Sequence, residues 1–163
     1  MKKLGIVLLM LCLLTAGCAT EETFETVSDT LEAGLTAQRR NVYVELPGDA
    51  ASPAVESDAG RLYLCGDYEI QVQILAGGDV DATLRSLTGF EREALTVVQT
   101  SRDGGECYEF VFASTGEPGQ TVGKGMILDD GGWHYCLMVQ SDAETAAQNQ
   151  AVWEEMFQSF RLA

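Results

Sequence analysis

RLYLCGDYEIQVQIL, residues 61–75, sets two runs of alternating apolar residues on either side of Gly66-Asp67. That pair suits a two-residue hairpin turn with its first residue at positive φ. The turn sets the register: Cys65 faces Tyr68 and Tyr63 faces Ile70, so all four share one apolar face with Val72 and Ile74. Glu69, Gln71 and Gln73 then point the other way, to solvent or to a polar layer. The stretch predicts an antiparallel sheet with one strongly apolar face and Cys65 as a core thiol.

Before it, Val42, Val44 and Leu46 alternate with Tyr43 and Glu45 until Pro47-Gly48 stops a predicted strand, and residues 49–60 read as an exposed loop. After it, Gly77-Gly78 breaks the chain. Asp79 is placed to cap a short helix whose stripe is Val80, Leu84 and Leu87 and whose end is Gly89. Strands follow at about Leu95 to Thr100, Cys107 to Ser114, Thr121 to Leu128 and Trp133 to Gln140, separated by turn sequences rich in Gly and Asp. The run from Gly119 to Gly125 lacks the P-loop order of residues and leads into a strand, so it reads as a turn and an edge strand. Ser141 and Glu144 make a capping box for a last helix, with Val152, Met156 and Phe160 four residues apart and Trp153 and Phe157 beside them. The expected fold class is α+β, an antiparallel β-sheet of about six strands flanked by helices, in one domain over residues 41–163.

Four segments, VYVELP at 42–47, CYEFVF at 107–112, GWHYCLMV at 132–139 and WEEMFQSFRL at 153–162, occur in an order that resembles the PsbP-like family. The resemblance covers residues 41–163. It implies an antiparallel sheet between helices and a role in partner binding or assembly more than in catalysis. Bacterial members are often lipoproteins. It carries over no functional residue.

The chain begins MKKLGIVLLMLCLLTAGC, which resembles the signal peptide and lipobox of a bacterial lipoprotein. Lys2 and Lys3 form the charged end. Leu4 to Leu14 is an uncharged stretch of eleven residues, including Cys12, and is too short for a stable membrane span. Small residues then lead to Cys18, with Thr15 standing where Leu or Val is commoner. The reading assigns residues 1–17 to a signal peptide, Cys18 to lipid attachment and residues 18–40 to an acidic tether, although Thr23 to Val27 can also be read as a short opening strand. Two acyl chains on one cysteine give durable anchoring, since each buried methylene contributes roughly 0.8 kcal/mol and a single chain holds only marginally. The alternative is an ordinary secretory signal followed by an incidental cysteine. The expected localisation is the cell membrane, lipid-anchored and facing the extracytoplasmic side.

Loss of residues 1–17 removes two lysines and leaves 8 Lys+Arg against 25 Asp+Glu, a formal charge of −17. Such a surface repels phosphate backbones, so nucleic acid is not an expected partner. Arg39-Arg40 is the only basic pair after the signal and reads as a solvated turn. About 146 residues suffice for one domain that buries roughly two thirds of its unfolded surface.

Cys65, Cys107 and Cys136 are the disulfide candidates; at most one bond can form, and the count does not choose the pair. His134, the only histidine, precedes Cys136 by two, so both side chains share a strand face and are the candidates for a metal site, which Cys107 can in principle join. The close paired ligands that usually mark zinc are missing, so the favoured reading is a sheet-packed histidine beside a buried thiol or disulfide. Asp79, Asp81, Asp129 and Asp130 match no calcium loop and read as caps and turns. No catalytic set and no cofactor is recognised. The expected function is a non-enzymatic binding or assembly module whose partners are the membrane, through its anchor, and envelope proteins or a small ligand. The alternative is a metal-binding or enzymatic lipoprotein using His134 with nearby thiols or carboxylates, which a polar cleft around that residue would favour.

Overall fold

The hairpin predicted at residues 61–75 forms, and the main sheet extends from it on both sides. Residues 38–115 and 119–163 are described by a computed structural model of the chain. Strand β3 is Gly60–Leu64 and β4 is Tyr68–Ala76; Tyr63 lies opposite Ile70, and the Cys65 amide donates to the Tyr68 carbonyl at 2.9 Å. The register is the expected one, but Gly66 is not at positive φ. That backbone occurs instead at Asp103 (φ 55°) and Gly104 (φ 84°), two consecutive left-handed residues that turn β5 (Thr96–Arg102) into β6 (Gly105–Thr115).

β4 pairs on its other side with β8 (Trp133–Asp142), which continues to β7 (Gln120–Asp129), β6 and β5. β2 (Val55–Ser57) adds a short edge strand on β3, inside the stretch expected to be a loop. The result is a seven-stranded antiparallel sheet in the order β2-β3-β4-β8-β7-β6-β5. The first predicted strand shortens to β1 (Val42–Tyr43), which pairs with β9 (Arg161–Leu162) apart from the main sheet, while Val44 and Leu46 continue inward without strand pairing.

Each face of the sheet is covered by one helix. On the first face, Tyr63, Tyr68, Ile70, Leu137 and Val139 meet Trp153, Met156, Phe157 and Phe160 of the last helix, α2 (Ala143–Ser159), and its end. Burying large side chains of this kind contributes on the order of 1.5–3 kcal/mol each, so α2 is a major part of the stability. Arg102 fastens its end: Nη1 and Nη2 donate to the Phe157 and Gln158 carbonyls at 3.1 and 2.7 Å, a cation at the negative end of the helix dipole. On the second face, α1 (Val80–Thr88) sets Leu84 against Phe110, Ile127 and Cys136. Asp79 caps it by accepting the Asp81 amide at 3.0 Å, and Gly89 ends it in the left-handed region, both as the sequence predicts.

Two expectations fail for a tertiary reason. The run through Gly123 and Gly125 is no edge strand, because β7 lies between β6 and β8. Its glycines make room for rings: a Cβ at Gly125 would lie 2.1 Å from Phe110 Cζ, and one at Gly123 would lie 2.3 Å from Phe112 Cζ. The Ser141–Glu144 capping box does not form either. Ser141 is still in β8, paired with Tyr68 and Val122, and its hydroxyl donates to the Asp142 carbonyl; the helix starts at Ala143 and stops at Ser159, with Phe160 buried just beyond it.

Candidate functional site

His134 and Cys136 do share one face of β8, the face under α1, and the surroundings explain both. His134 is 0% exposed. Its Nδ1 lies 2.8 Å from the Thr83 hydroxyl of α1, and its Nε2 lies 3.5 Å from Asp129 Oδ2, beyond a good hydrogen bond. The tautomer that fits has Thr83 donating to Nδ1 and the Nε2 proton directed toward Asp129. Asp129 is held in turn, since Oδ1 accepts the Gly131 amide at 2.8 Å. Hydroxyl, imidazole and carboxylate stand in the series familiar from hydrolases, but Thr83 is 8% exposed and the ring is sealed beneath α1, so the series joins helix to sheet. Asp81 is taken by Arg92 at 2.9 Å, and among the described residues no three His, Cys, Asp or Glu side chains gather to hold a metal ion.

The three disulfide candidates are free thiols, and the register keeps them apart. Cys107 faces the α2 side and Cys136 the α1 side of the sheet. Cys65 shares the α2 side with Cys107 but sits at the opposite end of the strands, about 20 Å away along them. Cys107 therefore does not join His134. Burial pushes the Cys136 thiol up to about 12 and raises Cys107 and Cys65 as well; Cys65 is half-buried at the rim, less enclosed than a core thiol.

A large cleft lies elsewhere among the described residues. It has a volume of about 1040 Å³ and opens between residues 39–46 and the β2–β3–β4 edge of the sheet. Its floor is aliphatic: Val42, Val44 and Leu46 from the incoming segment face Val72 and Ile74 of β4, all five only partly buried at the fringe of the α2 core. Its rim carries Arg39, Arg40 and Arg61 with Glu56 and Asp58. Arg61 is paired, its Nε 2.7 Å from Glu56 Oε1. Arg39 Nη2 donates to the Asp58 carbonyl at 2.8 Å and Arg40 Nη1 to the Asp103 carbonyl at 3.3 Å; neither guanidinium meets a carboxylate among the described residues.

A part-buried knot positions Arg40. Its amide donates to the Tyr135 hydroxyl at 2.8 Å, and that hydroxyl donates to Asp130 Oδ2 at 2.8 Å. Asp130 Oδ1 also accepts the Gly132 and Trp133 amides at 3.0 and 2.8 Å. Burial pushes the Asp130 carboxyl up, but its donors, together with the charge of Arg40, outweigh this and hold it below the usual carboxylate value. At the other end of the core, burial and the hydrogen bond to Asp49 raise the Tyr68 hydroxyl far above its ordinary value. The sequence reading set Arg39-Arg40 aside as a solvated turn. Their one visible signal was being the only basic pair after the first three residues of an acidic chain.

Two solved structures share the architecture. LpqN of Mycobacterium tuberculosis, described as involved in cell envelope biogenesis, matches with a TM-score of 0.51 at 11% identity, over 85% of this chain and 97% of that one. The solution structure of cyanobacterial PsbP, CyanoP, from Synechocystis sp. PCC 6803 matches with a TM-score of 0.51 at 11% identity, over 80% of this chain and 96% of that one. The likeness shows a PsbP-like fold, as the order of segments implied. No protein-family model matches the chain. No curated protein matches it in sequence.

Proposed function

We propose that this chain is an extracytoplasmic lipoprotein, tethered to the membrane through a diacylglyceryl group on Cys18, whose domain works by binding. The signal and lipobox pattern of residues 1–18 supports the anchor, and residues 18–40 supply the tether. Among the described residues no helix is long and apolar enough to cross a membrane. The observation that carries the binding reading is the cleft, in which five aliphatic side chains meet a rim of three arginines and two carboxylates. It opens beside residues 39 and 40, the last two of the proposed tether. The likeness in fold to an envelope-biogenesis protein agrees with a place in the envelope.

The histidine supports the same reading, since its ring is committed to tying α1 to the sheet. Partners are envelope proteins or a small ligand, and a formal charge of −17 disfavours nucleic acid. Substituting Cys18→Ser tests the anchor: the wild-type chain is expected in the membrane fraction and the variant in the soluble extracytoplasmic fraction. A wild-type chain that is already soluble would refute it. Crosslinking in intact envelopes tests the binding role, and failure to recover any reproducible partner or ligand would count against it.

A further inference from the structure

We propose that the cleft between residues 39–46 and strands β2–β4 binds an amphipathic organic anion, a carboxylate or phosphate on an apolar body, with Arg39 and Arg40 taking the charge. This rests on the binding reading above and adds to it the chemical class of the ligand. Arg61, Arg85, Arg92 and Lys124 pair with Glu56, Glu91, Asp81 and Glu109, whereas Arg102 is spent on the carbonyls that end α2 and Arg161 lies over the Tyr43 ring with Nη1 donating to the Ser159 carbonyl. Arg39 and Arg40 are adjacent in sequence and their guanidinium groups donate to backbone carbonyls; the charge of Arg40 also acts on Asp130, while Arg39 has no carboxylate within ion-pair distance among the described residues. Glu56 is occupied by Arg61, which leaves Asp58 as the other carboxylate at the rim beside Arg39 and Arg40. The rim thus holds three arginines against two carboxylates on a strongly negative protein, and guanidinium forks match carboxylate and phosphate geometry.

The floor decides what else the ligand carries. Five aliphatic side chains remain partly open there, so a bare inorganic anion would leave apolar area wet, and a neutral hydrocarbon would leave both arginines unused. A volume of about 1040 Å³ stands at the upper end of small-molecule sites, large enough for a head group and an alkyl body together. The knot of Arg40, Tyr135 and Asp130 fixes the backbone that presents the charge, which lowers the ordering cost of binding.

Isothermal titration of the chain from residue 19 onward, made without acyl groups, tests this with octanoate, octanol and acetate. Octanoate is expected to bind at one site, with acetate and octanol at least tenfold weaker. Arg39→Gln and Arg40→Gln are each expected to weaken octanoate about tenfold, near 1.4 kcal/mol. Arg85→Gln, on α1, is expected to leave it unchanged. Near-UV circular dichroism establishes that each variant is folded, and Arg39→Gln alters only an exposed side chain. Octanol binding as tightly as octanoate, acetate matching octanoate, arginine variants that bind normally, or no octanoate binding would each overturn the proposal. None of these outcomes bears on the anchor, which fractionation reads independently.

Discussion

Replacing Gly125 with Ala should destabilise the domain, and should cease to do so once Phe110 is gone. The added Cβ would lie 2.1 Å from Phe110 Cζ and 2.6 and 2.7 Å from Cε2 and Cε1, distances that no packed pair tolerates. Phe110 is 1% exposed and held by Leu84, Ile127 and Cys136, so its ring cannot swing clear into solvent. Overpacking of this kind costs about 1–3 kcal/mol. Against this, alanine gains roughly 0.5–1 kcal/mol over glycine in a strand. The single variant should therefore lose up to about 2.5 kcal/mol net, and Phe110→Ala alone about 3–5 kcal/mol. In the Phe110→Ala background the clash is absent, so adding Gly125→Ala should be neutral or stabilising by up to roughly 1 kcal/mol. Urea unfolding of the four proteins closes the cycle, with a coupling energy of about 1–3 kcal/mol. Strict additivity would show that the ring does not lie over the glycine and would refute this account of β7.

Thr83→Val should cost about 1–3 kcal/mol by leaving His134 Nδ1 buried without a donor, read as a lowered urea midpoint; no change would mean that the helix is not held through the ring. Asp130→Asn should lose a similar amount at neutral pH. Because the folded Asp130 carboxyl titrates below its ordinary 3.8, its stabilisation is present above that value and disappears as pH falls through the folded value. The gap between wild type and variant should accordingly narrow in acid, and a gap constant from pH 7 to about 3 would contradict the knot. In the native state iodoacetamide at mildly alkaline pH should label Cys65 first and spare Cys107 and Cys136, each 1% exposed, the latter with its thiol raised to about 12. Peptide mapping that finds Cys136 labelled before unfolding would count against the packing beneath α1.

Most of the architecture could be read locally. Alternation in residues 61–75 and the turn between them determined a register, and side-chain period two makes a slipped register bury the wrong set. Asp79 and Gly89 bounded α1 because their preferences are local: a side-chain acceptor before the helix and a left-handed residue after it. The errors fell where distant chain decides. Nothing near Gly123 and Gly125 announces that two phenylalanines from the neighbouring strand will cover them, so glycine in a strand looked like an edge. Ser141 had the sequence of a helix cap, but pairing with Tyr68 and Val122 kept it in β8. The shared face of His134 and Cys136 was legible from spacing, whereas the seal over it came from α1. The cleft was the least legible, because its walls are drawn from residues 39–46, 56–63 and 72–74, and only the fold brings them together.

The most direct test of the central claim is the intact mass of the protein extracted in detergent from the membranes of the cell that makes it. The account predicts a chain that begins at Cys18, lacks residues 1–17 and carries the added mass of a diacylglyceryl group. A chain that still begins at Met1, or one that begins near residue 18 with no acyl mass and is recovered in the soluble fraction, would contradict it.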